Sequence, residues 1–218
     1  MVPLRQLSVV DVGTYGIAVF FKNLDLPRLC TLEYAAERVQ QFSFLPLLAS
    51  SNRFQRLSLN VSHISSEAMT GCLRLLPDLR ELRIRHDPIG QGLPLPPPYP
   101  LTDFWASITP TAQNPNVSCP KLRIVEFTLF KFTSDSELLQ FIQARTGTRF
   151  ADVARLAKVH AEFRRAMEFD IRPALKQAIG DGLDLSLRCQ HSAPIIYSPF
   201  QENFPYTRGE MLSDSWVS

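Results

Sequence analysis

Leu79-Arg80-Glu81-Leu82-Arg83-Ile84-Arg85 carries the template Leu-x-x-Leu-x-Ile, which also occurs three times upstream. The earlier copies are Leu4-x-x-Leu7-x-Val9, Leu29-x-x-Leu32-x-Tyr34 and Phe54-x-x-Leu57-x-Leu59. Their opening residues Leu4, Leu29, Phe54 and Leu79 stand 25 residues apart each time. Unrelated apolar matches would drift out of register over such a length. Past its first residue each copy alternates, as in Leu57-Ser58-Leu59-Asn60, and alternation sends apolar side chains to one face and polar ones to the other. Each copy therefore reads as a short, half-buried β-strand.

The series continues less regularly. Leu122-x-x-Val125-x-Phe127 and Leu156-x-x-Val159-x-Ala161 fit the template, and Gly182-x-x-Leu185-x-Leu187 closes it more weakly. The long gap before Leu122 holds a Gly/Pro-rich run, residues 90–100. Proline lacks an amide donor and fixes φ, so this run reads as an insertion bulging from one unit, with Leu101 to Ile108 as that unit's short helix. Pro27, Pro77 and Pro120 each stand two residues ahead of a template, where they direct the chain into an extended run.

The returns between strands read mostly as helices. Ser65-Ser66-Glu67 precedes Ala68, Met69, Cys72, Leu73, Leu75 and Leu76, spaced by three and four. Ser134-x-x-Glu137 is a capping-box pattern ahead of Leu138, Leu139, Phe141 and Ile142. Asp170 and Pro173 open a further helical stretch ended by Gly180 and Gly182. Gly13 and Gly16 make the first return a loop or a single turn. Strand, return and strand at this spacing demand parallel strands with helices on one side. A period in the twenties with one strand per unit is the pattern of a leucine-rich-repeat solenoid. The expected fold is thus α/β, an irregular solenoid of about seven parallel strands over residues 1–189, followed by an irregular tail or cap over 190–218. A compact α/β domain with unrelated strands is the alternative.

The 218 residues are 45% hydrophobic, enough to bury one elongated core. A net charge of +2, from 23 basic against 21 acidic residues, gives no reason to expect nucleic acid or an anionic membrane as partner. The longest apolar run, Ile17-Ala18-Val19-Phe20-Phe21, falls far short of the roughly 20 residues that span a bilayer. Met1-Val2-Pro3-Leu4-Arg5 does not start a secretory signal, so cytoplasm or nucleus is the expected compartment. Cys30, Cys72, Cys119 and Cys189 are far apart and the four histidines are scattered, so reduced structural cysteines and no metal site are expected.

No nucleophile elbow, P-loop, dinucleotide fingerprint or zinc-protease helix occurs, so neither catalytic residues nor cofactors are expected. Glu126, His160 and Asp184 share one face of successive strands, the sole arrangement with acid–base character. The same face is of more interest as a binding surface. Positions two, four and six after each template start point to it, and they include Arg56 and Ser58; Glu81, Arg83 and Arg85; Glu126; and Lys158 and His160. These eight are the candidate partner-binding residues. Five cations on this face balance five acids, a mixture suited to a patterned protein epitope rather than to a phosphate backbone. An ordinary solvated sheet face without a ligand is the competing reading.

Leu26-Pro27-Arg28-Leu29-Cys30-Thr31-Leu32, Leu75-Leu76-Pro77-Asp78-Leu79-Arg80-Glu81-Leu82 and Cys119-Pro120-Lys121-Leu122-Arg123 resemble the repeats of fungal F-box proteins with leucine-rich regions. The closing stretch Phe163-Arg164-Arg165-Ala166-Met167-Glu168-Phe169-Asp170-Ile171, with Gly182-Leu183, is similar to the way basidiomycete-type chains of that family end. The resemblance covers about residues 1 to 190. It implies the substrate-recognition part of a ubiquitin-ligase subunit, with a protein as partner. The family's F-box docks on a ligase adaptor. This chain opens inside a repeat at Leu4, so the adaptor is an expected partner only where an F-box is supplied upstream.

Overall fold

The computed structural model describes residues 4–11, 17–24, 26–36, 53–61, 64–86, 102–130, 133–147 and 150–189. All seven templates form strands: β1 (Gln6–Asp11), β2 (Thr31–Ala36), β3 (Arg56–Asn60), β4 (Glu81–Arg85), β5 (Ile124–Phe130), β6 (Lys158–Phe163) and β7 (Asp184–Cys189). They make one sheet in the order β1-β2-β3-β4-β5-β6-β7, every neighbouring pair parallel. The α/β class and the sequential parallel order are as expected. The Pro-rich run and the tail from Gln190 onward lie outside the described residues.

Register follows the template residue for residue. Leu7, Leu32, Leu57, Leu82, Val125, Val159 and Leu185 pair across all seven strands, and Val9, Tyr34, Leu59, Ile84, Phe127, Ala161 and Leu187 form a second column. From β2 to β6 both columns are buried. Side chains between them stay exposed or half-exposed, apart from Asn60. Entry into the strands is equally repetitive. Leu29, Leu79 and Leu122 each donate a backbone N–H to the carbonyl three residues back, at 3.0, 3.2 and 3.1 Å. Those turns are Leu26-Pro27-Arg28-Leu29, Leu76-Pro77-Asp78-Leu79 and Cys119-Pro120-Lys121-Leu122. Proline's preset φ suits the second position of such a turn, which explains its place in each unit.

The returns cover the buried face. α1 (Ile17–Lys22) follows Gly16 directly and has six residues, more than the single turn expected there. α2 (Ser66–Arg74) starts where Ser65 Oγ accepts from the Ala68 N–H at 3.2 Å, and it buries Met69, Cys72 and Leu73. α3 (Thr102–Ile108) matches the expected short helix. α4 (Asp135–Thr146) carries the complete capping box of Ser134 and Glu137. A 3-10 turn, Pro173–Leu175, leads into α5 (Lys176–Gly180). Gly182 sits at φ 101, where a side chain would be strained, so the seventh unit has glycine where the others have their opening leucine or phenylalanine. Phe104, Trp105, Phe127 and Phe141 pack as one aromatic cluster under mid-sheet, with Trp105 5.2 Å from both Phe127 and Phe141.

Two buried charges hold the returns in place. Arg145, 1% exposed, donates from Nε to the Ile108 carbonyl at 2.7 Å, and from Nη2 to the carbonyls of Ser118 and Cys119 at 3.3 and 3.2 Å. It thereby caps α3 and fixes the approach to β5. Burial pulls its pKa down to about 10 and pushes the neighbouring Cys119 thiol up to about 12. All four cysteines are free thiols, Cys72 and Cys119 buried. Asp135, at the start of α4, accepts from the N–H groups of Glu168 (2.6 Å) and Phe169 (3.1 Å) and pairs with Arg165. Burial alone would raise its pKa, but the hydrogen bonds from Arg165, Phe169 and Glu168 outweigh burial and lower it. Its stabilisation is therefore present above the ordinary carboxylate value of about 4 and is lost as pH falls through the lowered folded value. Asp135→Asn should cost about 2–3 kcal/mol at pH 7, by loss of one partner from a buried pair. Denaturant unfolding of both proteins should show the gap narrowing below about pH 4.

Candidate functional site

The sheet face that no described helix covers carries all eight candidate residues, on β3 to β6. Two rows of the register bring most of them together. One runs Gln6, Thr31, Arg56, Glu81, Ile124, Lys158, Asp184, and the next runs Ser8, Glu33, Ser58, Arg83, Glu126, His160, Ser186. Arg85 lies in a third row beside Asn60 and Thr128.

Opposite charges in these rows pair with one another. Arg83 donates from Nε to Glu81 Oε1 at 2.7 Å and stands 3.2 Å from Glu126 Oε2. Arg56 Nε is 3.5 Å from Glu81, and Lys158 Nζ is 3.8 Å from Glu126. The result is a continuous lattice Arg56–Glu81–Arg83–Glu126–Lys158. Its carboxylate side chains are recessed, at 15% and 22% exposed, whereas Arg56, Arg83 and Lys158 stand at 64%, 44% and 42%. A partner approaching this face would meet the stems and edges of three cations that share two carboxylates.

Where Ser58 sits between longer neighbours, the face dips. The notch holds about 120 Å³ and is lined by Gln6, Thr31, Glu33, Arg56, Leu57, Ser58, Glu81 and Arg83. Spacing within the templates places Glu81 beside Arg56 and Glu126 beside Arg83, so the lattice could have been read by aligning the copies. The notch follows from Ser58 being the short residue among them.

Acid–base geometry is not assembled on this face. His160 is level with Glu126 on one side and Ser186 on the other, while Asp184 pairs with Lys158 one row away. The expected column of Glu126, His160 and Asp184 is thus staggered, and Glu126 is engaged by Arg83 and Lys158. Among the described residues no group of three or more His, Cys, Asp or Glu is placed to hold a metal ion. No helix among them is long and apolar enough to cross a membrane.

A larger cleft of about 340 Å³ lies away from the sheet face, lined by Arg74, Pro77, Ser107, Asn114, Asn116, Val117, Ser118, Cys119 and Pro120. It adjoins the carbonyl ends of α2 and α3, which repel anions. Arg145 already satisfies the last α3 carbonyl and two of the cleft's own carbonyls.

No family model, curated protein or solved structure matches this chain.

The two sheet faces should respond very differently to mutation. Glu81 and Leu82 are adjacent but lie on opposite faces. Glu81→Gln removes half-exposed ion pairs, each worth about 0–1 kcal/mol, and should shift unfolding by less than about 1 kcal/mol. Leu82→Ala empties a fully buried column site and should cost about 2–5 kcal/mol. Chemical denaturation of the two variants measures both.

Proposed function

We propose that this chain is a non-enzymatic protein-interaction domain of the leucine-rich-repeat solenoid type, whose open sheet face recognises a protein partner in the cytoplasm or nucleus. By its resemblance to fungal F-box proteins, it serves as the substrate-recognition part of a ubiquitin-ligase subunit. Contact with the ligase adaptor then depends on an F-box supplied upstream.

One observation carries the reading: a sheet of seven parallel strands in sequence order, covered by helices on one face and by no described helix on the other. The open face is neither apolar nor of one charge sign. It presents a pre-arranged pattern of paired charges, a type of surface that discriminates between partners by complementarity. The three segments that resemble the F-box repeats also share one local structure, a turn whose second residue is proline. Support for a binding role over catalysis comes from the staggered His160 and the engaged Glu126.

Affinity purification with the 218-residue chain tests this reading. The wild type is compared with the triple variant Arg56→Glu/Arg83→Glu/Arg85→Glu after circular dichroism shows equal folding. A reproducible interactor should be retained by the wild type and lost, at least tenfold, by the variant. An unchanged set of interactors would leave the face a solvated sheet surface with no ligand.

A further inference from the structure

The open face does not spend its charges evenly. Arg56, Glu81, Arg83, Glu126 and Lys158 are locked into the lattice. Glu162 and Arg188 lie side by side on β6 and β7, and Asp184 lies beside Lys158. Two charges remain with no ion pair among the described residues and no opposite charge level with them on a neighbouring strand. Glu33 has Ser8 and Ser58 beside it, and Arg85 has Asn60 and Thr128. Glu33 forms one wall of the notch over Ser58, half-buried, while Arg85 is exposed.

We infer that the partner presents a basic side chain to the notch, where it meets Glu33, and an acidic side chain to Arg85. This inference rests on the open face being the binding surface, and it names what that surface selects. The sign follows from which charges are spent. The guanidinium groups in the notch already serve Glu81 and Glu126, so an acidic intruder would have to break existing pairs to gain a new one. A lysine or arginine would gain an unspent carboxylate and break nothing. The notch, at about 120 Å³, has room for the end of one side chain and little more. Seated there, the pair would be shielded from water on several sides, where a charge–charge contact is worth more than on open surface.

Spacing is set by the sheet. Glu33 and Arg85 are two strands apart and two residues apart along the strand direction. With strands about 4.8 Å apart and a rise of about 3.3 Å per residue, their backbones lie about 12 Å from each other. An extended peptide covers that distance in three or four residues. The signature is therefore a basic and an acidic residue three or four positions apart, or the same pair at that distance on a folded surface.

Selection from a display library of random 12-residue peptides on the immobilised 218-residue chain tests the inference. Peptides are scored for enrichment on wild type over the Arg56→Glu/Arg83→Glu/Arg85→Glu variant. The expected result is enrichment of Lys or Arg three or four positions from Asp or Glu. Glu33→Gln should weaken the selected peptides at least tenfold, and Glu33→Lys should convert the basic position to an acidic one. Arg85→Ala should relax only the acidic position. Face-dependent peptides without a basic residue, or peptides indifferent to Glu33→Gln, would overturn the inference and leave the open face as a binding surface. Absence of any face-dependent enrichment would overturn both.

Discussion

Each strand from β2 to β6 is pinned to the one before it by a single backbone carbonyl. The Cys30 and Thr31 N–H groups both donate to Arg5 O, those of Gln55 and Arg56 to Cys30 O, and those of Arg80 and Glu81 to Gln55 O. The pattern goes on with Arg123 and Ile124 to Arg80 O, and with Ala157 and Lys158 to Arg123 O. The acceptor is always the residue after the template's opening position. Two donors on one carbonyl oppose sliding of the incoming strand, so β2 to β6 enter the sheet in fixed register, and β7 enters with one such donor, the Asp184 N–H to the Ala157 carbonyl. A slip of one residue would turn the buried column outward and the charged rows inward. The apolar columns and the ion-paired lattice are thus two consequences of one repeated contact.

Because register is set at strand entry, the returns are free to differ. The return before β5 is far longer than the one before β4, yet Leu82 still faces Val125. Its extra length is tied to the return after β5. Trp105 packs beneath Phe127 and donates its indole N–H to Thr133, and Arg145 donates to the carbonyls of Ile108, Ser118 and Cys119. Asp135 does the complementary work further on, accepting backbone N–H groups from the segment after β6. Burying a charge is costly, and the hydrogen bonds of Arg145 Nε and Nη2 and of the Asp135 carboxylate offset part of that cost. Here each one stands in for secondary structure that an irregular return cannot provide.

This division explains what could be read from the sequence. Strand entry and burial are encoded locally, by a proline turn and a period-two alternation, so all seven strands and the orientation of their faces were legible. Helix starts were legible for the same reason, since Ser65 and Ser134 carry their own caps. Contacts that join distant returns leave no local mark. Nothing near Arg145 in the chain announces that it will be buried, because its acceptors lie 26 to 37 residues away. Glu126, His160 and Asp184 share a face but not a row, because Asp184 stands two residues after its template start and Glu126 and His160 stand four after theirs. Glycines suggested a loop before β2, yet both lie ahead of α1 and do not interrupt it.

The same register decides what the candidate site can contribute to recognition. Exposed ion pairs add little affinity, and a partner gains almost nothing by competing for a guanidinium that already has two carboxylates. The lattice sets three cations against two carboxylates, so most of its charge is compensated locally. By pairing Arg56, Arg83 and Lys158 with Glu81 and Glu126 it weakens the long-range attraction for polyanions that five cations on one face would otherwise exert. In the proposed recognition, discrimination falls to the charges outside that lattice, Glu33 and Arg85, and to the notch over Ser58. Arg56, Arg83 and Arg85 are all candidate residues of the open face, but cross-strand pairing separates them: Arg56 and Arg83 belong to the lattice, and Arg85 has no ion pair among the described residues. A side chain's place on the open face is therefore set by its own strand, but its availability to a partner is set by the strands on either side.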